Sequence, residues 1–130
     1  VSWDGGAVTP QASFNLPENC SNTFARGKNL WYTYYGDTPG LGVVRIGDAG
    51  ALSQGPTVAV SDWWIQFAGA HDDSAYIGVG YAAVARYDFA GETPVLAEIS
   101  PVMASPLGAQ FGNTNAYLPL GYGGVAVMGL

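Results

Sequence analysis

Few residues in this chain are of types that do chemistry, and the densest group is Asp62 with His71, Asp72 and Asp73. Carboxylates and an imidazole at the two ends of one strand can share a rim and bind a divalent cation. Nearness in sequence does not establish convergence, however, and an acidic loop tip is ordinarily just solvated, so no metal site is expected. His71 with an aspartate would serve as a catalytic base only beside a nucleophile, and Ser61 and Ser74 are neighbours in sequence alone. Glu92 and Glu98 are the residue type a glycosidase pairs, but nothing around them separates them from surface charges. Gly121-Tyr122-Gly123-Gly124 lacks the lysine and following helix of a phosphate loop and reads as a turn. The single cysteine, Cys20, cannot form an internal disulfide and is read as a small apolar residue, buried or nearly so. Asn19-Cys20-Ser21 matches a glycosylation triplet of a kind that also arises by chance. The expectation is a chain with no catalytic residue and no cofactor.

Aromatic residues carry more information. Trp3, Trp31, Trp63 and Trp64 stand with Tyr32, Tyr34, Tyr35, Tyr76 and Tyr81 in one small chain. Adjacent residues of a strand point to opposite faces, so Trp63 and Trp64 cannot share one core. The bland reading is a sheet covered on both faces. The functional readings are a protein interface or a platform on which sugar rings stack. Interface contacts are expected at Trp3, Trp31, Tyr32, Tyr34, Trp64 and, in the apolar C-terminal tail, Val127.

The elements that must position these side chains read as strands. Residues 30–35 are almost all aromatic or β-branched, and Gly36-Asp37-Thr38-Pro39-Gly40 turns the chain into the Val43, Val44 and Ile46 segment, predicting a hairpin. Residues 57–60 and 63–67 predict further strands, with residues 47–56 between as a Gly, Ser and Pro-rich loop. Residues 76–89 carry the longest alternation, Ile77, Val79, Tyr81, Ala83, Ala85, Tyr87 and Phe89 falling on one side. Residues 95–99 predict a short strand, 101–116 an irregular segment and 117–130 a last strand. The stretch from Val1 through the polar cluster at residues 18–23 reads as an arm or loosely attached edge segment, with residues 1–12 as the extended arm. No window free of Gly and Pro has a 3.6 period, so almost no helix is expected. No internal repeat of the solenoid or propeller kind is evident. The predicted fold is all-β: a single β-sandwich of jelly-roll or Greek-key type over residues 1–130, with about seven or eight strands.

Composition narrows the partners. The chain has 130 residues, enough for one core. Four basic residues face ten acidic ones, and a net charge of −6 repels phosphate backbones, which argues against nucleic acid. No stretch approaches the roughly 20 apolar residues of a membrane-spanning helix, and long Pro-rich segments fit poorly with an eight-stranded membrane barrel. The start lacks a basic region followed by an apolar run, so a mature or untargeted chain is expected. Charged residues are only 11% of the chain, less than half of the roughly 25% usual for an isolated domain. A surface so poor in charge suits a chain packed against other protein.

The Gly36-Asp37-Thr38-Pro39-Gly40 type of turn, the weakly charged apolar strands, the arm-like start at residues 1–10 and the lack of a site together give the chain a style. In that style it resembles the capsid decoration, or cement, proteins of tailed-phage virions. The resemblance implies a compact β domain, a homo-oligomer, that sits between capsid subunits on the virion surface and stabilises the shell by added interface burial. An N-terminal arm anchored by Trp3 would then add a strand to a neighbour's sheet. The alternative is a carbohydrate-binding β-sandwich that uses surface Trp and Tyr.

Overall fold

The computed structural model of the chain describes residues 2–3, 8–9, 13–16, 19–60 and 64–130, the first two pairs as paired backbone only. The described residues form thirteen strands and two three-residue 3-10 turns, Asp48–Gly50 and Gly121–Gly123. β1 (Ser2–Trp3) and β2 (Val8–Thr9) pair as a short hairpin. Three further antiparallel sheets follow in chain order. The first contains β3 (Asn19–Arg26), β4 (Asn29–Tyr35), β5 (Gly40–Ile46) and β6 (Leu52–Ala59). The second contains β7 (Ile65–His71), β8 (Ser74–Val79), β9 (Ala83–Asp88) and β10 (Val95–Pro101). The third contains β11 (Gln110–Phe111), β12 (Asn115–Pro119) and β13 (Val125–Gly129).

The all-β, nearly helix-free expectation holds, while the connections differ from it. Within each described sheet every strand pairs with its neighbour in sequence, the order of a meander. The 4-1-2-3 order that defines a Greek key occurs in none of them. The extent of the strands differs as well. Polar residues 19–26, expected as part of an arm or loosely attached edge segment, form the edge strand β3, whose side chains are nearly all exposed, because the backbone of an edge strand pairs on one side whatever its side chains prefer. β6 likewise begins at Leu52, inside the expected loop.

The second sheet lies between the other two, and strand alternation explains how. Ala75, Ile77, Ala85, Tyr87 and Phe89 pack with Trp31, Leu41 and Val43 of the first sheet. On the opposite face of the same strands, Tyr76 and Val84 pack with Ala116, Leu118, Leu120 and Met128 of the third sheet and its flank. A sheet covered on both faces needs apolar residues at consecutive positions, and Tyr76 and Ile77 are both fully buried. The third layer sits so close that a side chain at Gly78 would meet Pro106 Cδ at 2.7 Å.

Residues 76–89, predicted as one alternating run, are two strands joined at residues 80–82, where Gly80 takes φ 58°. In this register Val79 pairs with Ala83 and Ile77 with Ala85. Odd positions therefore face odd positions, the alternation runs through the turn, and the turn is hidden in the pattern.

The structure also holds the internal repeat that was not expected. Ala75-Tyr76, Gly80-Tyr81 and Val84-Ala85 recur at a constant spacing of roughly forty residues as Ala116-Tyr117, Gly121-Tyr122 and Val125-Ala126. The pairing recurs with them: Ile77 with Ala85 and Leu118 with Ala126; Ala70 with Ala75 and Phe111 with Ala116. Even the closing bonds match, Phe89 N–H donating to Asp73 O at 2.8 Å and Leu130 N–H to Thr114 O at 3.1 Å. Gly121, at φ 60°, repeats the left-handed turn of Gly80. In the first sheet Trp31 pairs with Val43 as Tyr76 pairs with Arg86, around a longer loop.

A polar clamp joins the first two sheets at one end. Arg45 donates from Nη1 to Asn29 Oδ1 at 2.6 Å and Asp73 Oδ1 at 3.0 Å, and from Nη2 to Phe89 O at 2.7 Å. Asn29 Nδ2 also donates to Asp73, at 3.1 Å. Arg45→Met keeps the apolar stem but removes three charge-assisted bonds, so it is expected to lower the unfolding free energy by about 2 kcal/mol. The shift of the urea midpoint at unchanged slope measures it.

Candidate interaction surface

The acidic group predicted around His71 does not converge on a cation. His71 Nδ1 lies 3.4 Å from the exposed Asp72 Oδ2, and its ring rests against Phe111. Asp73 is engaged by Arg45 and Asn29, while Asp62 lies outside the described residues. Among the described residues no three His, Cys, Asp or Glu side chains are grouped to hold a metal. Ser74 is set opposite His71 by the strand register, but its hydroxyl donates to Asp88 Oδ1 at 2.6 Å. Glu92 is exposed in the turn after Phe89, and Glu98 is half-buried on β10. Cys20 is half-buried on β3 next to exposed Asn19, and Ser21 shares a hydrogen bond of 3.1 Å with Thr33.

The buried tyrosines are structural as well. Burial pushes the phenols of Tyr32, Tyr76 and Tyr87 above their ordinary pKa. Smaller opposing effects come from the Gln54 hydrogen bond at Tyr32 and from Arg86 at Tyr76. All three stay protonated at neutral pH, where a phenol is no base. Tyr76 instead donates to Gly129 O at 2.8 Å, alongside Arg86 at the same distance, tying β8 and β9 to the last strand.

The predicted interface residues separate. Trp31 and Tyr32 are fully buried and belong to the interior, so neither side chain is available to a partner: Trp31 meets Phe89 edge-on at 4.9 Å, and Tyr32 accepts a bond from Gln54. Tyr34 is half-buried beside Tyr32. Trp3 lies in β1, paired with Val8, and its side chain is outside the described residues, as is Trp63. Trp64 and Val127 do reach the surface. No helix among the described residues is long and apolar enough to cross a membrane.

Trp64 leads to a surface feature that the sequence did not signal. Its ring stacks on Tyr81 at 5.1 Å and 22°. These two, with Gln66, Met103, Ala104, Ser105, Leu107, Leu120, Gly121 and Tyr122, line an open groove of about 560 Å³. The β8–β9 and β12–β13 hairpin tips supply Tyr81 and Tyr122, which occupy the same place in the repeat. Ser105 Oγ donates to Gly80 O at 3.1 Å and fastens the intervening segment to the first tip. Met103 is 90% exposed and Tyr122 wholly so, with Tyr81 and Leu107 more than half exposed. A second hollow of about 310 Å³ shares Met103 and Leu120 with the groove and runs along Val125 and Val127. Among the described residues no Asp, Glu, Lys, Arg or His lines either concavity, although the chain has ten acidic residues.

Exposed apolar side chains set contiguously around a concavity, with no charge to hold water, are the usual chemistry of a contact surface. Of these residues the sequence pointed to Trp64 as an interface contact, whereas the alternation through residues 76–89 placed Tyr81 on the core side rather than at a tip. Comparison of the chain with models of protein families, with curated proteins and with solved structures found no match to any of them.

Proposed function

We propose that this domain is a non-catalytic binding protein that acts by burying the hairpin-tip groove against a protein partner. The observation that carries the reading is the rim of Tyr81, Met103, Leu107 and Tyr122, free of charge among the described residues, in a chain of net charge −6. A rim with no charge gives up little hydration when covered, and Tyr and Met are residue types enriched where proteins meet. In its narrower form, following the resemblance to capsid decoration proteins, the partner is a shell of virion subunits. The chain then works as a homo-oligomer on the virion surface, with the β1–β2 hairpin as its arm and the stacked sheets as a sandwich. Symmetry multiplies a modest burial at each site into stabilisation of the whole shell.

Tyr122→Ser tests this. It is expected to change folding stability by less than about 0.5 kcal/mol and to weaken association tenfold to a hundredfold, about 1.4–2.8 kcal/mol. Co-sedimentation with the source particle measures the second effect. Unchanged association in a folded variant contradicts the proposal.

The Trp64–Tyr81 stack, with Tyr122, Gln66 and Ser105 around it, favours a second reading in which the groove holds a sugar ring on an aromatic face. That reading requires glycan binding that disappears with Tyr81→Ala while association with protein persists.

A further inference from the structure

The three sheets stack in a constant sense. The first lays the face bearing Trp31, Leu41 and Val43 onto Ala75, Ile77 and Ala85 of the second. The second lays Tyr76 and Val84 onto Ala116, Leu118 and Met128 of the third. The pairing register makes these equivalent events. Trp31–Val43, Tyr76–Arg86 and Tyr117–Val127 are the same cross-strand pair in successive sheets, as Tyr32–Gly42, Ile77–Ala85 and Leu118–Ala126 are on the other face. Each sheet thus covers the next with one face and is covered on the other.

The third sheet carries the covering face as well, and there it meets nothing comparable. Trp31, Leu41, Tyr76 and Val84 are 0% exposed, whereas their counterparts Tyr117 and Val125 are 43% and 60% exposed, and Val127 is 56% exposed. The third sheet keeps the residue types of the first, an aromatic and aliphatics, with Val127 where the second sheet has Arg86, while the burial that accounts for such types is missing. We infer that the Tyr117–Val125–Val127 face is the seat of one more β-meander of the same repeat, joined in cis, so that the three sheets are successive blades of a propeller-like stack.

The occupant follows from the two interfaces already formed. What covers this face in both cases is a strand pair presenting small and aliphatic side chains, Ala75, Ile77 and Ala85 or Ala116, Leu118 and Met128. A second copy of the chain has no such face to offer. The corresponding side chains of its first sheet, Tyr32 and Val44, are fully buried already, and those of its second and third sheets are covered within the copy. The hairpin tips lie at the ends of the strands rather than on this face, so the groove between Tyr81 and Tyr122 stays open in the extended stack.

The register supplies the test, because Leu130 occupies the place of Phe89. The full chain extended after Leu130 by a second copy of residues 90–130 therefore continues the repeat without a shift: the copied β10 becomes the fourth strand of the third sheet, and the copied β11–β13 the next sheet. In the extended protein, nitration of Tyr117 is expected to be slowed at least tenfold relative to the 130-residue chain, with no change of oligomeric state. Tyr117→Asp with Val125→Asp should leave the 130-residue chain folded, yet release the added sheet in the extended one, seen as rapid hydrogen exchange in the added residues only. A Tyr117 as reactive in the extended protein as in the original overturns the inference. It is overturned equally, and without any extension, if nitration of the 130-residue chain finds Tyr117 as protected as Tyr76, or if light scattering shows a dimer with Tyr117 protected, in which case a second copy is the occupant.

Discussion

Trp31→Ala is expected to lower the unfolding free energy by about 3–5 kcal/mol, the range for removing a fully buried tryptophan. Trp31 fills the space between the first two sheets, against Leu41, Val43, Ile77 and Phe89, and nothing on two hydrogen-bonded sheets can collapse into the vacancy. The melting temperature should fall by roughly 10–20 °C. Trp31→Phe should cost much less, about 1 kcal/mol. The indole N–H is buried with no hydrogen-bond partner among the described residues, and an unpaired buried donor is itself a penalty that phenylalanine removes. Urea denaturation of both variants measures the contrast. Equal losses would mean that the indole nitrogen has a partner, and a loss under about 1 kcal/mol for alanine would mean that the first two sheets do not share this core.

The second large effect uses the repeat against itself. Tyr76→Ala and Tyr117→Ala change the same residue at the same place in successive hairpins. Tyr76 is fully buried and its hydroxyl holds Gly129 O at 2.8 Å, so its loss is expected to cost about 3–5 kcal/mol. Tyr117 is partly exposed on an open face, and its loss should cost under about 1 kcal/mol. Such a difference between equivalent positions isolates the contribution of the covering sheet, since strand propensity and pairing are common to both.

These contrasts also show why the sequence was only partly legible. Residues 30–35 and 41–46 announced a hairpin because aromatic and β-branched types fit a pleated, covered surface and the Gly36 to Gly40 turn separates them. The β8–β9 turn was hidden because Val79 pairs with Ala83, which preserves the odd and even faces on both sides of Gly80. β3 was legible only as an arm or loosely attached edge segment, because an edge strand bonded on one side tolerates Asn, Ser and Thr. The repeat was missed because what recurs is small: a few identities such as Ala-Tyr and Gly-Tyr, spread over a general alternation that any strand shows.

The surface was harder to read than the fold. Trp31 and Tyr32 were expected at an interface because their neighbours are also aromatic, yet two-sided burial of β4 takes them both. Tyr122, Met103 and Leu107 gave no signal, since in sequence they sit among glycines and prolines that read only as turns. Folding brings them beside Trp64 and Tyr81, and the absence of charge among the described lining residues becomes evident only with the groove assembled.

The measurement that bears most directly on the proposed function is the native mass of the purified chain by light scattering, made beside the sedimentation of the same chain in material from its natural source. The account predicts a defined small oligomer alone and co-sedimentation with a particle of very large mass in the source, with Tyr122→Ser folded but released from that particle. A monomer that never enters a large particle would contradict it.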